Sequence, residues 1–236
     1  MFDIVRKQAY WEALDNNAVF RSLGGKSLKA LDGLKHIQDA WSLGRLLPLR
    51  GKKILEVGGG VSRVLPALDE SNERWNLDEF LGVGNGVTEV PEMPGVKIVR
   101  RRLGDFSEEV PSNYFDVVFS ISVIEHVPTD ELEAFWKDHS RVLSPGGMAM
   151  HTIDLYIEDA PNSSLDGRLG AYRDLPVKHG LEFIDPPALP RSPTFQCDMA
   201  SNTDFGMWLW NKSVPTLAER RARSQSVTLG MLLRKA

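Results

Sequence analysis

Three consecutive glycines, Gly58, Gly59 and Gly60, close a short β-rich run, Lys53-Ile54-Leu55-Glu56-Val57. A strand that ends in glycines brings bare backbone close to a ligand, because no Cβ intervenes and positive φ carries no penalty. Such a turn also serves plain strand-to-helix packing, so its meaning depends on the residues downstream. Asp78 stands 20 positions after Gly58, at the end of a second candidate strand, Arg74-Trp75-Asn76-Leu77-Asp78. At that spacing an α/β nucleotide site sets a carboxylate on the two vicinal hydroxyls of a ribose. Proton chemistry has its own candidates. His126 comes after a fourth candidate strand and His151 lies in a fifth, where both are placed to face a crevice at the sheet's carboxyl edge, with Asp154 three residues further on. Histidine near its ordinary pKa suits general-base work. His36, His139 and His179 fall in helices or loops away from the strand ends.

The elements that must position these groups alternate. Residues 4 to about 47 carry apolar groups at helical spacing, broken at Gly24-Gly25, and predict two or three helices ahead of the core. After the glycine turn, Ser62 is a candidate N-cap for a helix with Pro66 in its first turns. Val96–Val99 reads as a third strand, Tyr114–Ser120 as a fourth with the continuous apolar run of a buried parallel strand, and Met148–Ile153 as a fifth. Between the last two, Glu131 to Leu143 reads as a helix stopped by Ser144-Pro145-Gly146-Gly147. Gly180–Ile184 is a sixth strand and Ser226–Leu233 a last one. A loop holding Gly82, Gly84 and Gly86 stands where a helix is expected, and residues 186–225 give no regular pattern. Strands separated by helices predict a doubly wound α/β sheet with its ligand outside the strands' carboxyl ends.

Composition narrows the classes. The chain has 236 residues, 42% of them hydrophobic, with 28 Lys+Arg against 32 Asp+Glu and a net charge of −4. No global positive field exists to hold nucleic acid or an anionic membrane surface. The single cysteine, Cys197, cannot form an intrachain disulfide, and no C-x-x-C pair suggests zinc. Without an apolar leader or a spanning apolar run, a cytoplasmic protein with no bound metal is expected.

Taken together, these stretches resemble the class I S-adenosylmethionine-dependent methyltransferases of the small-molecule type. Glu56-Val57-Gly58-Gly59-Gly60-Val61-Ser62 is similar to their E/D-x-G-x-G-x-G motif, with Ser62 in place of the last glycine. Trp75–Asp78 resembles the second motif, and Gly104-Asp105-Phe106 the third. The stretch from Phe115 to Val127 resembles the fourth-strand signature with its E-H-V ending, and Leu143-Ser144-Pro145-Gly146-Gly147 the L-x-P-G-G turn. The likeness is close over roughly residues 50 to 155 and looser over the last strands. It implies a mostly parallel seven-stranded sheet, order 3-2-1-4-5-7-6, with helices on both faces. Residues 1–48 would form an N-terminal helical cap, and 49–236 the Rossmann-like domain with a substrate-side insertion at about 186–225. S-adenosylmethionine is the implied cofactor. Glu56, Gly58, Gly59 and Gly60 would meet its methionine end, Asp78 its ribose, Asp105 and Phe106 its adenine, and Ser120 and Ile121 its methionine amino group.

The implied reaction is methylation of a small-molecule or glycan acceptor, with oxygen the expected methyl acceptor. His151, Asp154 and His126 are the candidates to assist it. His151-Thr152-Ile153-Asp154-Leu155 resembles a segment of methyltransferases encoded among polysaccharide-synthesis enzymes. The alternatives stay open: His126 as a cofactor-shielding residue, and His151 turned into the core with Asp154 capping the next segment. Phe205, Trp208 and Trp210 read either as an acceptor-stacking surface or as a satellite core, and the arginines at 100–102 and 220–223 as phosphate binders or a solvated face. Two further readings are an inactive S-adenosylmethionine-binding partner module and an NAD-dependent oxidoreductase. Arg63 argues against the latter, since it occupies the place of the third glycine of a dinucleotide fingerprint. Oligomeric state is left open.

Overall fold

The computed structural model describes residues 1–6, 12, 15, 19, 34–82, 86–194 and 224–236. Among them the chain order is β1 (Phe2–Ile4), α1 (Leu34–Leu46), β2 (Lys53–Val57), β3 (Glu73–Leu77), β4 (Val96–Val99), β5 (Phe115–Ile121), α2 (Leu132–Val142), β6 (Leu143–Glu158), α3 (Ser163–Lys178), β7 (Leu181–Phe183) and β8 (Ser224–Lys235). They build an α/β fold on a mostly parallel sheet. β4, β3, β2, β5 and β6 run parallel in that order, and β8 closes the sheet antiparallel to β6. The β6–β8 ladder spans Met148 to Glu158 against Arg234 to Ser224.

Among the described residues the sheet has eight strands in the order β1-β8-β6-β5-β2-β3-β4, with β7 on β8, and not the seven expected in the order 3-2-1-4-5-7-6. The addition is β1, which pairs with β8 through Phe2–Met231, Asp3–Gly230 and Ile4–Leu229 and so ends the hydrogen-bonded path, while β7 pairs with β8 beside it. Three residues are too few to show alternation, and they adjoin a stretch whose apolar spacing is helical. Burial holds them: Phe2 is fully buried, edge-on to Phe183, and its carbonyl accepts from the N–H groups of Ala188 and Leu189. Where it is described, the cap expected over residues 1–48 holds β1 and α1, with Glu12 and Val19 also helical. Its remaining helices fall on residues 7–11, 13, 14, 16–18 and 20–33, outside the described residues.

Two cores lie against the two faces of the sheet. Ile37, Ala40, Trp41, Leu43 and Leu46 of α1 pack with Ile54, Val117, Phe119 and Met150. Leu132, Phe135, Trp136 and Val142 of α2 and Leu169 of α3 pack with Leu55, Val118, Ala149 and Ile153. Successive strand residues thus feed opposite cores, as the period of two requires. Gly230 lets α1 approach β8: a Cβ there would come 3.2 Å from Trp41 and 2.9 Å from Val5.

Two helix expectations change. The helix expected after Ser62 is a single 3₁₀ turn, Leu65–Ala67, with Pro66 inside it. Ser62 Oγ still accepts from the N–H groups of Val64 and Leu65, so its capping bonds form without a longer helix behind them. Conversely, α3 stands in a stretch with no clear helical pattern. Asn162 caps it, its Oδ1 accepting from Ser164 and Leu165, but Gly167, Gly170 and Pro176 dilute its apolar pattern.

Candidate functional site

The glycine turn is gripped by β3. Gly58 N–H donates to the Leu77 carbonyl (2.7 Å), Asn76 Nδ2 donates to the Gly60 carbonyl (2.9 Å), and Gly60 N–H donates to Asp78 Oδ2 (2.9 Å). Gly58 and Gly60 have φ of 64° and 48°, a region open to glycine at no steric cost. Each glycine meets a different neighbour. A Cβ at Gly58 would stand 2.6 Å from the Val123 side chain, and one at Gly59 would stand 2.5 Å from Asn76 Oδ1. At Gly60 a Cβ would make only ordinary contacts among the described residues, 3.7 Å from Val87 and 4.0 Å from Asp78 Oδ2.

Asp78, one residue past β3, accepts one backbone N–H on each oxygen, from Gly60 and from Phe80 (2.7 Å). A carboxylate oxygen has two lone-pair sites, so both oxygens keep capacity for hydroxyl donors. Glu56 is buried at the end of β2, bonded to the Ser62 hydroxyl, and burial raises its pKa to about 7. Ser62, the departure from the glycine motif, thus serves both Glu56 and the 3₁₀ turn after it. Ser120 is buried and Ile121 half-buried at the end of β5.

The third motif is anchored differently. Gly104 and Phe106 donate their N–H groups to Oδ2 of Asp138, which is buried on α2 and also paired with Arg141 (2.6 Å). Asp105 is exposed and bonded to Arg102 (3.1 Å), while Phe106, φ 52°, is 41% exposed with Lys137 Nζ 5.6 Å from its ring. The Phe106 ring borders a groove with Asn113, Lys137, Arg141, His179 and Lys235. Asp138 carries no sequence signal apart from its place in a helix.

His151 does not face the crevice. Its ring is fully buried, Nδ1 2.8 Å from Ser120 Oγ and Nε2 3.1 Å from Nε2 of His139, with Trp136 packed edge-on. Burial holds His139 down at about 3 and His151 well below the ordinary histidine value, so both rings are neutral. On β6 successive side chains alternate sides, and His151 points into the core beneath α2. The reading in which it turns inward is the one observed.

Asp154 sits in a polar cluster. Lys35 Nζ donates to its Oδ2 (2.9 Å), Gln38 Nε2 to its Oδ1 (2.5 Å), and the Ser122 hydroxyl lies 2.9 Å from Oδ1 and 2.8 Å from Gln38 Oε1. Lys35 Nζ also bonds Ser122 Oγ. The Asp154 side chain is 22% exposed. Its N–H donates to Glu125 Oε1 (3.1 Å), and the other oxygen of Glu125 is buried with no hydrogen-bond partner among the described residues. Burial first, and Asp154 second, raise Glu125 to about 7. His126, its neighbour, is exposed at the residue level and has its pKa lowered, chiefly by desolvation.

The cluster joins the glycine turn through Ser122 and Val123. Ser122 has φ 55°, rare for a residue with a side chain, and its N–H donates to the Thr152 carbonyl (2.8 Å). The next residue, Val123, is the one that touches Gly58. Lys35 and Gln38 come from α1, on which no sequence motif falls. Ser122 and Glu125 lie inside the fourth-strand signature, which by itself gives them no role. Phe205, Trp208, Trp210 and the arginines at 220–223 lie outside the described residues, as do residues 83–85 of the glycine loop. Among the described residues no group of three or more His, Cys, Asp or Glu is arranged to hold a metal ion, and no helix is long and apolar enough to cross a membrane.

A Rossmann-like sheet with a glycine turn after its central strand and an acid after the next is the frame of class I methyltransferases. Residues 55–150 match the family model described as a methyltransferase domain. Among curated proteins none matches the sequence. Among solved structures, a Galdieria sulphuraria protein assigned as a sarcosine dimethylglycine methyltransferase aligns with TM-score 0.53 at 16% identity, over 94% of this chain and 99% of that one. Phosphoethanolamine N-methyltransferase 2 of Haemonchus contortus, in complex with S-adenosyl-L-methionine, aligns with TM-score 0.52 at 14% identity, over 96% of this chain and 60% of that one. At such identities the likeness is one of fold.

S-adenosylmethionine is the cofactor that the sequence resemblance implies. The residues present fit it: Asp78, bonded to the Gly60 N–H, has capacity on both oxygens for hydroxyl donors, and Glu56 is buried where a cationic amino group would stabilise its charged form.

Proposed function

We propose that this chain methylates an oxygen of a small-molecule or glycan acceptor. The supporting observation is the Ser122–Glu125–Asp154 cluster, which contacts the glycine turn through Val123 and is covered from α1 by Lys35 and Gln38. The cofactor supplies an electrophilic methyl carbon, so the protein's task is to hold a nucleophile in line and keep water out. Glu56, Gly58, Gly59, Gly60 and Asp78 would hold the cofactor, with Ser120 and Ile121 at the strand end beside them. We assign Asp105 and Phe106 to its adenine end.

On the acceptor side, Asp154 is the group we assign to orient a hydroxyl, since its carboxylate is partly exposed and already gathers three polar side chains. Glu125 supports it from beneath, and His126 stands at the rim to accept a proton. His151 takes no part in the transfer; buried and neutral, it joins β5, β6 and α2. The first test is calorimetric titration with S-adenosylmethionine and S-adenosylhomocysteine, and then with sugar, phenol and amine acceptors. Methylated sugar or phenol products are expected. Turnover of amines alone would refute oxygen as the acceptor atom, and cofactor binding with no turnover across the panel would favour a binding module.

A further inference from the structure

The turn that carries Glu125 and His126 is organised by a residue from another element. Ile124–His126 is a single 3₁₀ turn, closed by Val127 N–H donating to the Ile124 carbonyl (3.2 Å), too short to pair its remaining carbonyls internally. Arg168 of α3 collects them. Its Nη2 lies 3.0 Å from the Ile124 carbonyl, 3.0 Å from that of Glu125 and 2.6 Å from that of Val127. Nη1 donates to Thr129 Oγ1 (3.2 Å), and Nε to the Tyr172 hydroxyl (2.5 Å). Tyr172 is itself buried, its hydroxyl pKa raised to about 12 by burial. Among the described residues Arg168 has no carboxylate within ion-pair distance. A guanidinium with every nitrogen spent on one turn and its neighbours is placed there for geometry, because its fork fixes several acceptors at once where an ammonium acts as a point charge.

We propose that Arg168 is a positioning residue of the methyltransferase site: by gathering the carbonyls of Ile124, Glu125 and Val127 it holds the turn that seats Val123 on Gly58 and sets Glu125 against Asp154. The inference rests on the reading of this crevice as the cofactor and acceptor site. Arg168 acts through two links, Val123 to the glycine turn and Glu125 to the Asp154 backbone. The groups facing Glu125 are Asp154 from β6, Lys35 from α1, Arg168 and Tyr172 from α3, and His126 of its own turn.

The test compares wild type, Arg168→Lys and Thr129→Ala for S-adenosylhomocysteine affinity, together with the titration of the Glu125 carboxyl by carbon NMR without ligand. Arg168→Lys keeps the charge and loses the fork. It should bind at least tenfold more weakly while unfolding cooperatively, and its Glu125 midpoint should move down toward the ordinary carboxylate range as water enters. Thr129→Ala removes one contact and should stay within threefold of wild type. Unchanged affinity and an unchanged Glu125 midpoint in Arg168→Lys would overturn the proposal. If that variant does not fold, hydrogen exchange on the wild type decides: slowed exchange at residues 122–127 on adding S-adenosylhomocysteine supports the role, and none overturns it. A wild type that does not bind S-adenosylhomocysteine would refute the reading of the crevice itself, and this role with it.

Discussion

At the scale of single residues, two carboxyls of one protein sit in contrasting settings. Asp78 lies at a strand end with both oxygens taking backbone N–H groups and room for more. Replacing it by Ala should remove charge-assisted bonds to the ribose and weaken cofactor binding by about 1.5–3 kcal/mol, measured by calorimetry; an unchanged affinity would remove Asp78 from the site. Glu56 is buried, and its raised pKa of about 7 fixes a sign. An acid whose folded pKa lies above its unfolded value contributes stability that is fully present below about 4.5 and is lost as pH rises through about 7. Glu56→Gln lacks that contribution, so its unfolding free energy should fall more steeply than the wild type's when pH is lowered from 7 to 4.5. Urea unfolding across that range checks it. Gly58→Ala joins a positive φ to a clash 2.6 Å from Val123, and should cost stability and cofactor affinity together.

Among the elements, β5, β6 and α2 are tied by Ser120, His151 and His139. The two histidines have folded pKa values below the unfolded one, the opposite sign to Glu56. Their contribution is present above about pH 6.5 and is lost as pH falls toward their folded values. His139→Leu should be less stable than wild type at pH 7 yet lose less on acidification to pH 5, the two trends separating from that of Glu56→Gln in the same urea series. Several elements are legible in the sequence for physical reasons. β2 and β4 have the bounds expected, and β3, β5 and α2 lie within a residue or two of theirs, the apolar runs of β2 and β5 reading as buried parallel strands. β6 is longer than expected, Leu143–Glu158 against Met148–Ile153, because its ladder with β8 continues to Glu158 and Ser144–Gly147 are drawn into the strand. α3 is not legible, since its two glycines and Pro176 erase the apolar stripe. Neither is the Ser122–Glu125–Asp154 cluster. Asp154 has a motif to mark it, but Lys35, Gln38 and Arg168 reach the site from helices distant in sequence, and only tertiary packing brings them there.

For the whole molecule, the antiparallel strand β8 is the keystone, paired along one edge with β6 and along the other with β1 and β7. Among the described residues, α1 packs on one face of the sheet and α2 and α3 on the other. The short β1 contributes through burial more than through its three ladder pairs. Phe2→Ala should cost about 3–5 kcal/mol of stability, read by urea unfolding, while leaving cofactor affinity near the wild-type value because Phe2 touches none of the site. A loss of affinity in the folded variant would show that the far edge and the crevice are coupled.

The Gly58–Gly60 turn and Asp78 are proposed to bind S-adenosylmethionine. Titration of the purified wild-type chain with S-adenosylhomocysteine, with NAD(H) as the control ligand, tests it most directly. Micromolar, one-to-one binding of the adenosyl compound and none of the nicotinamide is the predicted result. Binding of NAD(H) with no response to S-adenosylhomocysteine would contradict it.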